Sequence, residues 1–378
     1  MSVTIVDIAR YAGVSKSTVS RVLNESARVS GESRDRVLNA VEALDYKPSA
    51  AARSLVLKRT DSFSLIVQDL RNPYYAYASW FAERAFQRKG YSLVIHNADN
   101  DRKLEGEILE TIRHRGVDGV LSIGGNRNVT SILDFCSKAE IPVVLVDRET
   151  PGYDIPTINL DNRLGGRIAT EFLLDHGHVD IVFATSDFTV AELRRSEGYR
   201  TAFADRGIEL PPDSVVSGSE ELWSEGICEP LSGMIEAGRI PSAIFASNDI
   251  KALHTMRILK EHDLRVPEDV SVVGYDDIFL SRIVVPSLTT VHQPFEHMVE
   301  AGVQLLLDMV KGVKVDTEQQ LFEPWLMERS STTARSGATT RSGSERAAPI
   351  PRGSAGRALA VAPTSQPTGA VRAFSDNH

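Results

Sequence analysis

A chain of 378 residues, 42% of them hydrophobic and 25% charged, is long enough for two or three domains with substantial cores. Its net charge of −9 argues against a protein that coats nucleic acid along its whole length, and its two cysteines, Cys136 and Cys228, give neither a disulfide framework nor a metal-ligand spacing. No run reaches the roughly 18 apolar residues of a spanning helix, and the opening MSVTIVDIAR lacks a signal peptide's charged-then-apolar order, so a soluble cytoplasmic protein with no membrane partner is expected. The charge is unevenly placed. Residues 1–60 hold ten Lys/Arg and six Asp/Glu, a net +4, and residues 330–378 are also net +4, which leaves −17 for the body between them. A basic head on an acidic body suits a protein that meets DNA at one end.

The first elements are short helices. Thr4 can cap the first, with Asp7 returning a hydrogen bond, and Ile5, Ile8, Ala9 and Ala12 share one face. Gly13 supplies a break where a positive φ is needed. Ser15 caps a second helix whose Val19, Val22 and Leu23 face the first. Two short helices joined by a Gly-containing turn form a helix-turn-helix, whose second helix enters a major groove by its N-terminal residues. A third helix is expected from about Ser33 to Leu44, with Val37, Val41 and Leu44 closing the small core before Tyr46-Lys47-Pro48 stops it. Residues 49–56 favour helix but are too few to hold one alone.

From Ser62 the pattern becomes strand–helix alternation. Apolar strands are expected at 62–69, 91–96, 118–123 and 142–147, and again at 180–186, 242–249 and 270–277. Two such runs mean an α/β fold of two doubly wound parallel-sheet lobes, preceded by the all-α helix-turn-helix head. Residues 331–378 are rich in Ser, Thr, Ala, Gly, Pro and Arg without apolar periodicity, and read as a disordered tail with no leucine heptad.

The run D-I-A-x-x-A-G-V-S-x-x-T-V-S-R-V-L-N, from Asp7 to Asn24, resembles the lactose/galactose repressor family. The order of the body resembles the type I periplasmic binding fold, in which the chain crosses between lobes three times, here near 157–161, 286–293 and 321–325. The expected division is a head at 1–46, a hinge at 47–60 and a two-lobed sensor at 61–330. Within the sensor, lobe 1 takes 61–160 and 293–320, lobe 2 takes 161–290 and 321–330, and the tail follows from 331 to 378. The resemblance implies that Ser15, Lys16, Ser17 and Arg21 read bases and that Thr4, Ser20, Asn24 and Tyr46 hold phosphates. It also places Leu55 at a wedge in the minor groove. It further implies a homodimer on near-palindromic double-stranded DNA.

In the cleft, Asn72, Tyr74, Tyr75, Asp147, Arg148, Arg195, Trp223, Asn248, Asp276 and Gln293 are similar in position to the set around a pentose in ribose-binding members of the fold. The chemistry is apt: Asp147 and Asp276 accept from vicinal hydroxyls, Arg148 and Arg195 donate, and Tyr74, Tyr75 and Trp223 offer flat faces to a sugar ring. Tyr and Trp stand where the ribose binders carry Phe, which leaves a nucleoside or hexose open. The resemblance therefore implies a repressor of carbohydrate-use genes controlled by a small sugar, needing no cofactor, metal or catalytic residues. The other polar clusters have plainer readings. His176-Gly177-His178 reads as a helix end, and Gly124-Gly125 and Gly165-Gly166 lack dinucleotide-site spacing. Asp276-Asp277 lacks the further groups of a glycosidase. The rival classes are a sugar carrier and a sugar-processing hydrolase.

Overall fold

The computed structural model describes residues 3–23, 29–46, 59–99, 101–124, 129–150, 153–186, 189–211, 213–218 and 223–335, with the side chains of 223 and 224 left aside. The expectations for Asn24, Leu55, most of the hinge, the Trp223 side chain and the tail beyond 335 lie outside these residues.

The head comprises α1 (Ile5–Ala12), α2 (Lys16–Leu23) and α3 (Gly31–Ala43). Asp7 Oδ2 accepts from the Thr4 backbone N–H at 3.0 Å and from its hydroxyl at 2.6 Å, which ties down the first turn. Gly13 ends α1 at φ 65, a left-handed conformation costly for a residue with a Cβ. Ser15 Oγ accepts from the Thr18 N–H at 3.1 Å and starts α2. Ile8, Val19 and Val37, one from each helix, are fully buried together. α3 begins two residues earlier than the apolar pattern indicates, because its first turn is polar and carries no periodic signal.

The body holds two six-stranded sheets. The first contains β1 (Ser62–Val67), β2 (Ser92–Asn97), β3 (Gly119–Ile123), β4 (Val143–Val146), β5 (Thr157–Leu160) and β11 (Gln320–Phe322), all parallel, in the order β11-β5-β4-β3-β1-β2. The second contains β6 (Ile181–Thr185), β7 (Val215–Ser217), β8 (Ala243–Ala246), β9 (Ser271–Asp276), β10 (Thr289–His292) and β12 (Trp325–Met327), in the order β12-β10-β9-β8-β6-β7. Among the described residues only β12 runs antiparallel. In each sheet the strand order reverses beside its first strand, opening a crevice at the carboxyl ends of the strands.

The crossover helices are α4 (Pro73–Arg88), α5 (Arg102–Arg115), α6 (Thr130–Lys138), α7 (Asn162–Asp175), α8 (Val190–Asp205), α9 (Cys228–Glu236), α10 (Asp249–Glu261), the short α11 (Leu280–Ile283) and α12 (Phe295–Val310). After β10 the chain returns to the first lobe, where α12 packs on α4, β3 and β4. Strands β3, β4, β5, β6, β8 and β9 are buried at every position, which is why they read as continuous apolar runs.

Two boundaries differ from the sequence reading. β11 pairs in parallel with β5, so the first lobe extends through Phe322 instead of ending at 320. The strand is three residues long and mostly exposed, too short to leave a periodic signal. Residues 331–335, assigned by composition to the tail, are fixed to the second sheet. The Ser331 hydroxyl donates to the Val272 carbonyl at 2.6 Å and accepts from the Thr289 N–H at 2.8 Å. The Arg335 N–H reaches the His176 carbonyl at 3.0 Å. Hydrogen bonding to a strand holds this segment where apolar content alone would not.

Candidate functional site

The crevice is assembled from the loops that follow the strands. Asn72 caps α4, its side chain accepting from the Tyr74 N–H at 3.0 Å, and Pro73 occupies the first helical turn. This cap aims Tyr74 across the sheet end, where its hydroxyl donates to Asp147 Oδ2 at 2.7 Å. Asp147 turns the chain just after β4 at φ 55, and its N–H donates to the Ile158 carbonyl at 2.7 Å. Tyr75 donates its hydroxyl to Gln68 Oε1 at 2.7 Å. Its ring lies over Gly124, where a Cβ would come within 2.4 Å of it. Arg148 is buried, with its N–H on Asn159 Oδ1 at 2.6 Å; burial draws its guanidinium down to about 10, with Glu105 opposing the fall.

The second lobe contributes Arg195 from α8. Its Nε donates to Asn162 Oδ1 at 2.9 Å, its NH1 to the Ser247 carbonyl at 2.6 Å, and its guanidinium carbon lies 3.6 Å from the centre of the Tyr275 ring. Asp276, ending β9 at φ 118, receives the Gln293 amide at 2.6 Å and stands 3.9 Å from Arg195. That last gap is too long for a direct hydrogen bond. Burial holds the Asp276 carboxyl well above the usual carboxylate range, against the pull of Arg195. Gln293 is fully buried, and its Oε1 has no partner among the described residues. Asn248 caps α10, accepting from the Lys251 N–H at 2.8 Å.

The two halves face each other. Burial opposes the charge of Arg195, but Tyr275, Asp276 and Asp147 together hold it above its ordinary basicity, and the acidity of Tyr74 and of Tyr75 is depressed first by burial and then by the same two carboxylates. A guanidinium held by Asn162 and the Ser247 carbonyl, 3.9 Å from Asp276 and within the field of Asp147, beside an unpaired buried carbonyl, can grip a small polyhydroxylated molecule. Among the described residues, no group of three or more His, Cys, Asp or Glu could hold a metal ion, and no helix is long and apolar enough to cross a membrane.

Residues 4–49 match the family described as bacterial regulatory proteins, lacI family, and residues 170–332 match a periplasmic binding protein-like domain. The ribose operon repressor of Escherichia coli (strain K12) is 34% identical over 330 residues, covering 87% of this chain and 99% of that protein. The chain belongs to the lacI family. The HTH-type transcriptional repressor PurR of Pasteurella multocida (strain Pm70) is likewise 34% identical, over 333 residues covering 88% of this chain and 99% of its own. A solved lac repressor dimer bound to operator and an anti-inducer is 26% identical with a TM-score of 0.78, covering 88% of this chain and all of that one. This lacI-family regulator is therefore a DNA-binding transcriptional repressor with an effector-binding domain of the type I periplasmic fold, and not an enzyme.

In the head of the regulator, Thr4, Ser15, Lys16, Ser17 and Arg21 are exposed, Ser20 and Tyr46 half-buried. In the cleft, Tyr74, Tyr75, Asp147, Arg195, Asp276 and Gln293 converge. Tyr74 requires a correction. The sequence reading makes its ring a wall for sugar, but that ring is 4% exposed, packed edge-on against Phe295 and Tyr75 with centroids at 4.3 and 4.8 Å. Three aromatics meeting in a core leave no free face, so Tyr74 acts by orienting Asp147.

Sequence reasoning missed several members. Asn162 positions Arg195. Glu192 is buried with Lys251 at 2.5 Å, and although burial raises its carboxyl, the lysine charge prevails and brings it to about 2. Asp277 faces away from Asp276, hydrogen-bonded by His292, Arg329 and Arg282; these outweigh burial and bring it to about 2. The two adjacent aspartates thus divide into a cleft group and a structural anchor. Nothing in the spacing of the sequence marks these partners, since each meets its neighbour across strands or helices distant along the chain.

Proposed function

We propose that this regulator senses a small sugar of the ribose type in the interlobe cleft and, as a homodimer on a near-palindromic operator, represses genes of carbohydrate use. The carrying observation is the facing pair Asp147 and Asp276 about Arg195, with Gln293 Oε1 left over. A buried acceptor without a donor costs about 1–3 kcal/mol, and vicinal hydroxyls are the donors such a set requires. Identity alone favours neither relative, since the ribose operon repressor and the repressor PurR are both 34% identical to this chain. The acceptor-rich cleft supports the former. The sensing residues in this reading are Asn72, Tyr75, Asp147, Arg148, Arg195, Asn248, Asp276 and Gln293, with Tyr74 orienting Asp147.

Exposed apolar side chains support the homodimer: Trp80 is 50% exposed, Ile283 62% and Val285 92%. The last two border a groove of about 970 Å³ on the second lobe, together with Leu253, Met256 and Pro286. Sugar in the cleft favours one arrangement of the lobes, so operator and sugar must alter each other's affinity by the same factor. Titrating a labelled fragment of the upstream region of its own gene, with and without D-ribose, is expected to show an operator affinity that ribose changes. A response to purines or hexoses in place of ribose would reassign the effector.

Ser15, Lys16, Ser17 and Arg21 are the proposed base readers, and Thr4, Ser20 and Tyr46 the phosphate contacts. Arg21→Ala is expected to lose about 1–3 kcal/mol of operator affinity and to relax preference at one symmetric base pair. Competition with single-base operator variants measures this, and unchanged discrimination would remove Arg21 from the reading set.

A further inference from the structure

We infer that Arg194 and Glu149 form an interlobe latch, which sets how far the cleft stands closed before an effector enters. Glu149 lies two residues beyond Asp147 in the first lobe, and Arg194 precedes Arg195 on α8 in the second. Neighbours on a helix point about 100° apart, so while Arg195 enters the cleft, Arg194 turns to its rim. There its Nε and NH2 donate to the two oxygens of Glu149 at 3.0 and 2.9 Å, the paired geometry in which guanidinium–carboxylate bonds are strongest. Its NH1 donates to Glu197 at 3.1 Å, and Arg163 holds Glu197 from the other side at 2.5 Å. The guanidinium is thus oriented by its own lobe before it meets the other. These bonds, with Glu149 first, raise Arg194 above its ordinary basicity.

Among the described residues this is the one salt bridge whose partners belong to different lobes. Both side chains are about a third exposed, at 38% and 34%, so water and salt compete with the pair. A pair of this exposure shifts an equilibrium by at most about fivefold. Such a bias is too weak to lock the cleft and large enough to tune it, and opening the resting state reduces apparent effector affinity by the factor lost. The latch stands whichever effector the cleft takes.

The test measures the lobes without ligand. Spin labels at Glu107→Cys on α5 and Glu236→Cys on α9, in full-length protein with Cys136→Ala and Cys228→Ser, report the interlobe distance by pulsed electron resonance. Dilution into excess unlabelled protein removes signals between protomers. At low salt, Glu149→Gln is expected to move the distribution to longer distances, and Glu149→Lys to move it further. Wild type in about 1 M salt, where screening acts within roughly 3 Å, should match the Gln variant. Superimposable distributions for all of these would overturn the latch. Arg194→Gln breaks the same pair from the other lobe, so it decides the matter even if a Glu149 variant folds poorly: a distribution superimposable on wild type at low salt would overturn the latch.

Discussion

Asp276→Ala is expected to abolish the effector response at concentrations that saturate the unaltered protein, while leaving operator binding in the absence of effector intact. Asp276 is buried at the end of β9 with Gln293 on one oxygen and Arg195 at 3.9 Å, so its removal takes away an acceptor and the acidic group nearest the guanidinium in its own lobe's strand end. Leaving a buried hydrogen-bonding partner unsatisfied costs about 1–3 kcal/mol. Losing that acceptor, with the pairing of Arg195, lowers effector affinity about a hundredfold. The head is a separate small core built around Ile8, Val19 and Val37, and does not need the carboxylate to fold. Calorimetric titration of ribose, alongside operator binding by fluorescence anisotropy, separates the two effects. A variant that still binds and responds to ribose would remove Asp276 from the sensing set.

The second large effect comes from two glycines with no direct part in binding. A Cβ at Gly166 on α7 would lie 2.1 Å from the Arg195 carbonyl oxygen, and one at Gly198 on α8 would lie 2.0 Å from that of Arg163. Both obstacles are backbone, so no side chain can swing aside and the helices themselves must part. Gly166→Ala is therefore expected to cost about 3 kcal/mol, the upper end of ordinary overpacking, and to lower Tm by several degrees. It also displaces Arg195, whose own carbonyl is the obstructing atom, so effector affinity falls with stability. Gly233→Ala on α9, where nothing lies within 4 Å of the new methyl group, serves as the contrast. There the exchange removes backbone freedom from the unfolded chain and stabilises by up to about 1 kcal/mol. Equal melting of the two variants would sink this account of the helix crossing.

Much of the cleft was visible one residue at a time. Asp147, Asp276 and Gln293 lie at strand ends or a crossing, and strand ends follow from the apolar runs before them, whereas Arg195 lies within α8 and only the family resemblance pointed to it. Their partners were not visible. Asn162 and Arg195, or Tyr74 and Asp147, are paired by the way helices cross and sheets twist, which no local pattern encodes. Tyr74 shows the difference well: its place at the first strand end was legible, but its packing against Phe295 required the return of α12 to the first lobe.

The sequence by itself determined the local units: three short helices in the head, the first two with their caps, the buried parallel strands, and the two lobes that their alternation implies. Caps, turns and periodicity act within a few residues, so they can be read along the chain. The tertiary structure alone decided which of two adjacent aspartates faces the cleft, why Gly166 is there, that residues 331–335 are hydrogen-bonded to the second sheet, and that Glu149 meets Arg194. Those outcomes rest on contacts between residues far apart in the chain, and chain closure and packing set their geometry.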